Sequence, residues 1–327
     1  MPGTGVVTVT AAPPVAEMII APARPPGPEL IAPPAHLAGP EIVAAPVAPP
    51  ETGVWATSVP PAVHDHGGAG AAATVVILVA LAVPAAGYVV LAARRRREPR
   101  GWSHARTASF VTGILLLAAA LLPPVASLAA HDFRGHMLQH LLAGMLAPLG
   151  LVLGAPITLA LRSASPRGRR VAAAVLRGRA AHVLANPWLA LALSAGGLVV
   201  LYLTPLYRVA SADPMAHHLV HAHFLLAGCL FTWVIAGPDP APRRPSVPRR
   251  LVVLGVAVAV HASLSQLMYA GLLVDVPVPG EQLRGAATIM YYGGDVAELL
   301  LAFALVATWR PARRARALSR RPGESPA

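Results

Sequence analysis

Charged residues, lysine and cysteine are scarce in this sequence. Only 12% of its 327 residues are charged, against about 25% in soluble globular proteins. Lysine is absent, so all 26 basic residues are arginine. The single cysteine, Cys229, excludes an internal disulfide. With 55% hydrophobic residues and a mean hydropathy of +0.60, the chain lacks the polar residues needed to cover a water-facing surface.

Seven apolar runs of 20 to 26 residues occupy most of the chain after residue 71. At a rise of about 1.5 Å per residue, each is long enough to cross a hydrocarbon core of about 30 Å. The sequence therefore predicts an all-α integral membrane protein, a seven-transmembrane-helix bundle. The predicted spans are 72–93, 107–130, 136–161, 188–207, 217–236, 251–273 and 285–309.

The position of the arginines predicts the orientation of this bundle. The net charge of +12 would suit a nucleic-acid-binding protein, but 22 of the 26 arginines lie in 94–106, 162–179, 243–250 and 310–321. These four segments fall on one side of a seven-span bundle, and basic loops stay in the cytoplasm. We therefore expect a multi-pass protein of the bacterial inner membrane, with its N-terminus outside, its C-terminus inside and no nucleic-acid partner.

The two terminal regions differ from the membrane domain in composition. Residues 1–71 are rich in proline and alanine and cannot build a core, which predicts a disordered external tail. No basic segment precedes an apolar stretch there, so no ordinary signal peptide is expected. A start codon chosen upstream of the true one is the alternative. Residues 311–327 are predicted to form a basic cytoplasmic tail.

Histidines gather at the outer side of the predicted bundle. His136 and His140 enter the third span from outside, and His217 and His221 enter the fifth in the same direction. Each pair has i, i+4 spacing and therefore shares one helix face. Counting the rise per residue places His140 and His221 at a similar depth, about 6 Å below the outer surface. Two helices are thus predicted to present paired imidazoles at one level.

Two methionines are predicted to lie close to that level, Met268 on the sixth span and Met290 on the seventh, both about 8 Å deep. Imidazole binds copper, zinc and iron, whereas thioether sulfur selects Cu(I). The pattern favours copper over zinc, since zinc more often has cysteine or carboxylate ligands. Haem held by two facing histidines is the less favoured alternative. These ligands remain candidates, because histidines at helix ends and methionines in cores also occur without metal.

Three ionisable residues lie deeper in the predicted membrane: His261 on the sixth span, and Asp295 and Glu298 on the seventh. Such groups are costly in a bilayer and indicate a function or a specific partner. His261 and Asp295 both lie about 15 Å deep by residue count, so we expect them to pair. Glu298 is expected to pair with Gln266 or an arginine. The alternatives are a structural hydrogen bond between the two helices and a proton path.

Three motifs resemble those of one known family. The segment His136-Met-Leu-Gln-His-Leu-Leu, continued by Pro148, Gly154 and Pro156, resembles the third-helix signature of the CtaG family. The stretch from His221 to Trp233 resembles its next histidine helix, and the stretch from Glu281 to Glu298 its last-helix motif. The resemblance covers about residues 72–310. The family usually has Asp-Gln-x-x-Gly-Gly in the last loop, whereas this chain has Glu281 for the Asp.

The resemblance implies an assembly factor for haem–copper oxidases that handles copper at the outer membrane face, with oxidase subunits and other assembly factors as partners. It implies no turnover chemistry, so we expect no enzyme. The candidate ligands are His136, His140, His217, His221, Met290 and Met268. Other functions that the residues permit are a haem-binding membrane oxidoreductase, a transporter for copper or another cation, and a structural scaffold with incidental histidines.

Overall fold

The computed structural model describes residues 67–308, and this range contains helices and no β-strand. Two short π-helical segments, π1 and π2, interrupt the α-helices. In chain order the elements are α1 (Gly67–Arg96), α2 (His104–Leu121), α3 (Val125–His131), α4 (Phe133–Leu141), π1 (Leu142–Leu146), α5 (Ala147–Leu153), α6 (Pro156–Ser163), α7 (Pro166–Arg177), α8 (Arg179–Leu184), α9 (Pro187–Leu191), π2 (Ala192–Gly196), α10 (Gly197–Leu203), α11 (Leu206–Ala212), α12 (Pro214–Ile235), α13 (Val247–Ala270) and α14 (Gly280–Thr308).

Six helical segments in the described range are long and apolar enough to cross a membrane. They correspond to six of the seven predicted spans. The remaining predicted span, 188–207, is a helical pair in which Pro187–Leu203 is followed by Leu206–Ala212 at an angle of 84°. The count is therefore six, or seven if this bent pair is one span. The fold is that of a multi-pass α-helical membrane protein.

Most helix ends lie a few residues from the predicted ones, and two of these differences are of structural interest. α1 begins at Gly67, inside the segment predicted to be a disordered tail. α2 ends at Leu121 rather than 130, because Pro123 and Pro124 have no N–H group to continue the helix. Residues 1–66 and 309–327, which contain the rest of the predicted tails, lie outside the described range.

The third span is one helical stretch, α4–π1–α5–α6, with a break between α5 and α6. At the break Ala155 has a left-handed backbone with φ of 54°. The polar groups freed there find side-chain partners from other parts of the chain. Tyr88 donates its hydroxyl hydrogen to the carbonyl of Gly154 at 2.6 Å, and the carboxylate of Asp239 accepts from the backbone N–H groups of Ile157 and Thr158. These hydrogen bonds connect the break to α1 and to the loop after α12.

Small residues bring the central helices into close contact, as expected for a membrane bundle. A Cβ atom added to Gly228 on α12 would lie 2.0 Å from the carbonyl oxygen of Gly144 on π1. Similarly, a Cβ on Gly150 of α5 would lie 2.7 Å from the Cα atom of Gly113 on α2. The third span thus packs directly on α2 and α12 through glycine.

Arginines from two of the basic segments meet at one end of the bundle, here called the arginine end. Arg95 contacts the carboxylate of Glu98 and the hydroxyl of Ser163, and Arg162 lies 3.7 Å from Glu98. The loop that carries Arg244 joins the same end, because its Asp239 is bonded to Thr158. Three of the four basic segments therefore lie together, and the fourth, 310–321, is outside the described range.

Candidate functional site

Two aspartates start the helices that carry the histidines. Asp132 accepts a hydrogen bond from the backbone N–H of Arg134 at 2.8 Å and caps α4, and Asp213 accepts from Ala216 at 2.7 Å and caps α12. Such caps satisfy the free N–H groups of a first turn. The side chain of Arg134 also donates to Asp132 and holds the pKa of that carboxyl below its usual range. His136 and His217 consequently lie in the first turns of well-fixed helices.

Three histidine rings come together at this end, opposite the arginine end. The ring centroids of His217 and His221 are 4.3 Å apart, and the ring of His136 lies 6.3 Å from His217 and 5.8 Å from His221. We call these three residues the outer cluster. Phe133 stacks on His136 at 5.6 Å, and Tyr207 packs edge-on against it at 5.5 Å. The predicted meeting of the third and fifth spans is thus present for three of the four histidines.

His221 has both ring nitrogens next to oxygen acceptors. Its Nδ1 lies 2.9 Å from the carbonyl of His217 and its Nε2 3.1 Å from Oε1 of Gln139. Gln139 is held in this orientation because its amide nitrogen donates to the carbonyl of Ala120 at 2.9 Å. That carbonyl would normally bond to the N–H of residue 124, which is a proline. Gln139 therefore has two roles. Its amide nitrogen satisfies the free carbonyl of Ala120 at the end of α2, and its amide oxygen occupies the space next to Nε2 of His221.

The candidate methionines lie beside the outer cluster. Met268 and Met290 are fully buried and pack in one apolar group with Phe133 and Tyr202. Met137, which sequence reasoning did not single out, belongs to the same group and is equally buried. Its position directly after His136 could have marked it in the sequence as a further candidate ligand. All three methionines therefore share an apolar group with Phe133, the ring that stacks on His136.

His140 is separated from the outer cluster and faces the bundle interior. Its ring packs edge-on against Phe224 at 4.9 Å and lines a cavity that also contains His261 and Glu298. Nδ1 of His261 lies 3.4 Å from the carboxylate of Glu298. The expected pair of His261 with Asp295 was wrong, as was a partner for Glu298 in Gln266 or an arginine. Asp295 lies about 100° around α14 from Gly294, the residue that contacts His261, and the depth count ignored this rotation.

The motif at the start of α14, which contains Gln282, is hydrogen-bonded to the first residue of α4. Oε1 of Gln282 accepts a hydrogen bond from the backbone N–H of Phe133 at 3.2 Å. Beside it, a Cβ atom on Gly285 would lie 2.6 Å from the side chain of Arg134. These contacts hold the start of α14 against the start of α4. The motif thus helps to position His136.

Within residues 67–308, no three His, Cys, Asp or Glu side chains already stand in a metal-binding arrangement. Two rings of the outer cluster, His217 and His221, nevertheless line a groove of about 500 Å³ together with Gln139 and His218. The groove gives a small ion access to the rings. Imidazole nitrogens are ligands that suit borderline cations such as copper and zinc.

The molecule described so far is a multi-pass α-helical membrane protein with a histidine cluster at one end of its bundle. It belongs to the family of cytochrome c oxidase caa3 assembly factors (CtaG), whose family model matches residues 86–312.

Its curated relatives are mycobacterial. Uncharacterized proteins of Mycobacterium bovis and Mycobacterium tuberculosis are each 32% identical over 173 residues, which cover 51% of this chain and 26% of theirs. A protein of Mycobacterium leprae is 31% identical over 168 residues, covering 49% of this chain and 26% of its own. The chain therefore matches about a quarter of the length of these relatives. No solved structure matches it significantly.

Proposed function

We propose that this assembly factor carries Cu(I) as cargo in the outer cluster and delivers it to a subunit of a haem–copper oxidase. In this proposal the chain spans the bacterial inner membrane seven times, with the outer cluster on the external side. The observation that supports it is the convergence of His136, His217 and His221, from two helices, with ring centroids within 6.3 Å. Two or three imidazoles are a sufficient ligand set for Cu(I).

A carrier must release its metal, and Gln139 provides a means of release. In the metal-free arrangement Nε2 of His221 faces the amide oxygen of Gln139 at 3.1 Å. A copper ion that binds this nitrogen displaces Gln139, and the ring proton moves to Nδ1, which faces the carbonyl of His217 at 2.9 Å. On release the proton returns to Nε2 and the hydrogen bond to Gln139 forms again. The competition is worth about the net value of one hydrogen bond, 0.5–1.5 kcal/mol. This competition weakens copper binding enough to favour transfer of the ion, but it does not prevent the ion from binding.

Two alternative functions fit the contacts less well. A haem between the histidines would require Phe133 and Tyr207 to move, because both rings pack directly on His136. Transport would require a polar path to the arginine end, and a large apolar cluster that includes Phe231, Val253 and Leu301 fills the bundle there. Copper binding in the outer cluster requires neither a movement of these rings nor a polar path across the bundle.

The test is copper content and oxidase assembly in the double variant His136→Ala/His217→Ala. We expect this variant to lose about one Cu(I) per chain relative to the wild type, measured by mass spectrometry on the purified full chain. Oxidase activity should fall in membranes from cells in which it replaces the wild type. His223→Ala is the matched control, because His223 is exposed and bonds to the carbonyl of Leu193 outside the cluster. Unchanged copper content with normal oxidase activity in the double variant would refute the proposal.

A further inference from the structure

A small cavity lies one helical turn further into the bundle than His136. It has a volume of about 50 Å³, several times what one water molecule needs. Its walls come from α4, α5, α10, α12, α13, α14 and both π segments, and the side chains there that can bind a metal are His140, Met145, His261 and Glu298. This is a different place from the outer cluster, and the proposed function gives it no role.

Three polar side chains in this cavity are poorly satisfied. His140, His261 and Glu298 are 7%, 4% and 7% exposed. Nε2 of His140 and Nε2 of His261 are buried and have no hydrogen-bond partner within residues 67–308. In the same range the carboxylate of Glu298 has only the 3.4 Å contact to Nδ1 of His261, longer than an ordinary hydrogen bond. Buried polar groups without partners are rare, and each calls for a physical explanation.

The backbone around the cavity is shaped to admit these rings. A Cβ atom on Gly294 would lie 2.1 Å from Cε1 of His261, and one on Gly144 would lie 3.3 Å from Cε1 of His140. Both π segments contribute to the wall, π1 through Met145 and π2 through Ser194. A π turn adds a residue to the helix and often marks a functional site. Two such turns and two close glycines therefore surround one pair of imidazoles.

We propose that this cavity is a second metal site that takes one soft monovalent cation, Cu(I). The ligands are Nε2 of His140, Nε2 of His261 and the thioether of Met145. Glu298 does not bind the ion but accepts from Nδ1–H of His261, the arrangement in which a carboxylate orients a metal-binding imidazole. Neutral histidines, one carboxylate and one monovalent ion give a neutral buried site, whereas a divalent ion would leave an excess charge.

The proposal can be tested separately from the outer cluster. The full chain is purified in lipid nanodiscs and loaded with Cu(I) under reducing conditions, and bound copper is measured by mass spectrometry. We expect about two ions per wild-type chain, about one in His136→Ala/His217→Ala and none when His261→Ala is added. X-ray absorption of the double variant should show sulfur ligation that is lost in a further Met145→Leu change, which nearly conserves volume.

The role of Glu298 is tested by one variant and a matched control on the same helix. In the His136→Ala/His217→Ala background, Glu298→Gln should weaken copper binding about tenfold or more. Asp295→Asn should leave binding unchanged, because Asp295 is on the same helix and does not line the cavity. If the double variant binds no copper, or if its copper survives His261→Ala, the cavity site is wrong. One wild-type ion that survives the double variant and disappears with His261→Ala would instead support the cavity and refute the outer cluster.

Discussion

Two regions of this molecule each bury a carboxylate, and they treat it differently. Asp239, at the arginine end, is 1% exposed and accepts hydrogen bonds from the N–H groups of Ile157 and Thr158 and from the Thr158 hydroxyl. Glu298, in the inner cavity, is 7% exposed and has one long contact to His261. Both cost free energy to bury, but only the first is compensated by donors.

The difference separates structural polar groups from binding groups. At the arginine end, the carboxylate joins two segments that are far apart in the chain, and every donor it faces is used. In the cavity, Nε2 of His140 and Nε2 of His261 have no hydrogen-bond partner within residues 67–308, and Glu298 has only its long contact to His261. Asp239 is saturated in the folded chain, as expected for a structural group, whereas Nε2 of His140 and Nε2 of His261 are not, as expected for the ligands we propose. The following changes test this contrast, in order of expected effect.

The largest effect should follow from Gly228→Val, which removes the cavity itself. Gly228 lines the cavity, and a side chain there meets the carbonyl oxygen of Gly144, a backbone atom that cannot move aside. We expect a loss of more than about 3 kcal/mol in the free energy of unfolding. The measurement is thermal unfolding in detergent, followed by circular dichroism. Gly255→Ala is the control, because nothing lies within 4 Å of its added Cβ and it should unfold like the wild type or slightly later.

The comparison of Asp239→Asn with Glu298→Gln tests the contrast directly. Asp239 uses both carboxylate oxygens, so an amide leaves one set of donors unpaired and should cost about 2–4 kcal/mol. Glu298→Gln removes a buried charge with few partners and should change the free energy of unfolding by less than about 1 kcal/mol. The same unfolding assay measures both. Equal destabilisation by the two changes would show that Glu298 is a structural group.

The smallest effect is expected at Gln139. Gln139→Leu keeps the side-chain size and frees Nε2 of His221, so Cu(I) should bind the outer cluster about two- to tenfold more tightly. The change also leaves the carbonyl of Ala120 without its donor, which should lower the unfolding midpoint. Competition with a Cu(I) chelator measures the affinity in a His261→Ala background. Weaker binding in the variant would mean that Gln139 holds His221 ready for the metal rather than competing with it.

Hydropathy and spacing predicted the apolar helices, six of which are long enough to span a membrane, and paired histidines at one level on the third and fifth spans; the contact of His136 with His217 and His221 depends also on helix packing. They could not predict that His140 turns inward, because that depends on how α4 is rotated against α12 and α13. The partner of His261 was missed for the same reason, since residue count gives depth and not the helix face. The π segments and the role of Asp239 depend on contacts between distant segments, which leave no periodic pattern.

The bent pair at the fourth predicted span shows a further limit of periodicity. The apolar run 188–207 satisfies the length for a span, yet the helix ends at Leu203 and resumes after Pro205 at 84°. Tyr202 and Tyr207, on either side of this bend, pack around Phe133. Composition predicted a continuous hydrophobic helix here. The observed helix changes direction, and this bend places both tyrosine rings against Phe133, next to His136.

The apolar cluster between the inner cavity and the arginine end also has an electrical consequence. Any membrane that houses a respiratory oxidase stores energy as a proton gradient, and one charge crossing 100 mV releases about 2.3 kcal/mol. A cavity with two imidazoles and a carboxylate would be a leak if it reached both faces. Leu254, Leu301 and Leu305 close it toward the arginine end. The protein can therefore hold polar side chains inside the bilayer without opening a polar path for protons across it.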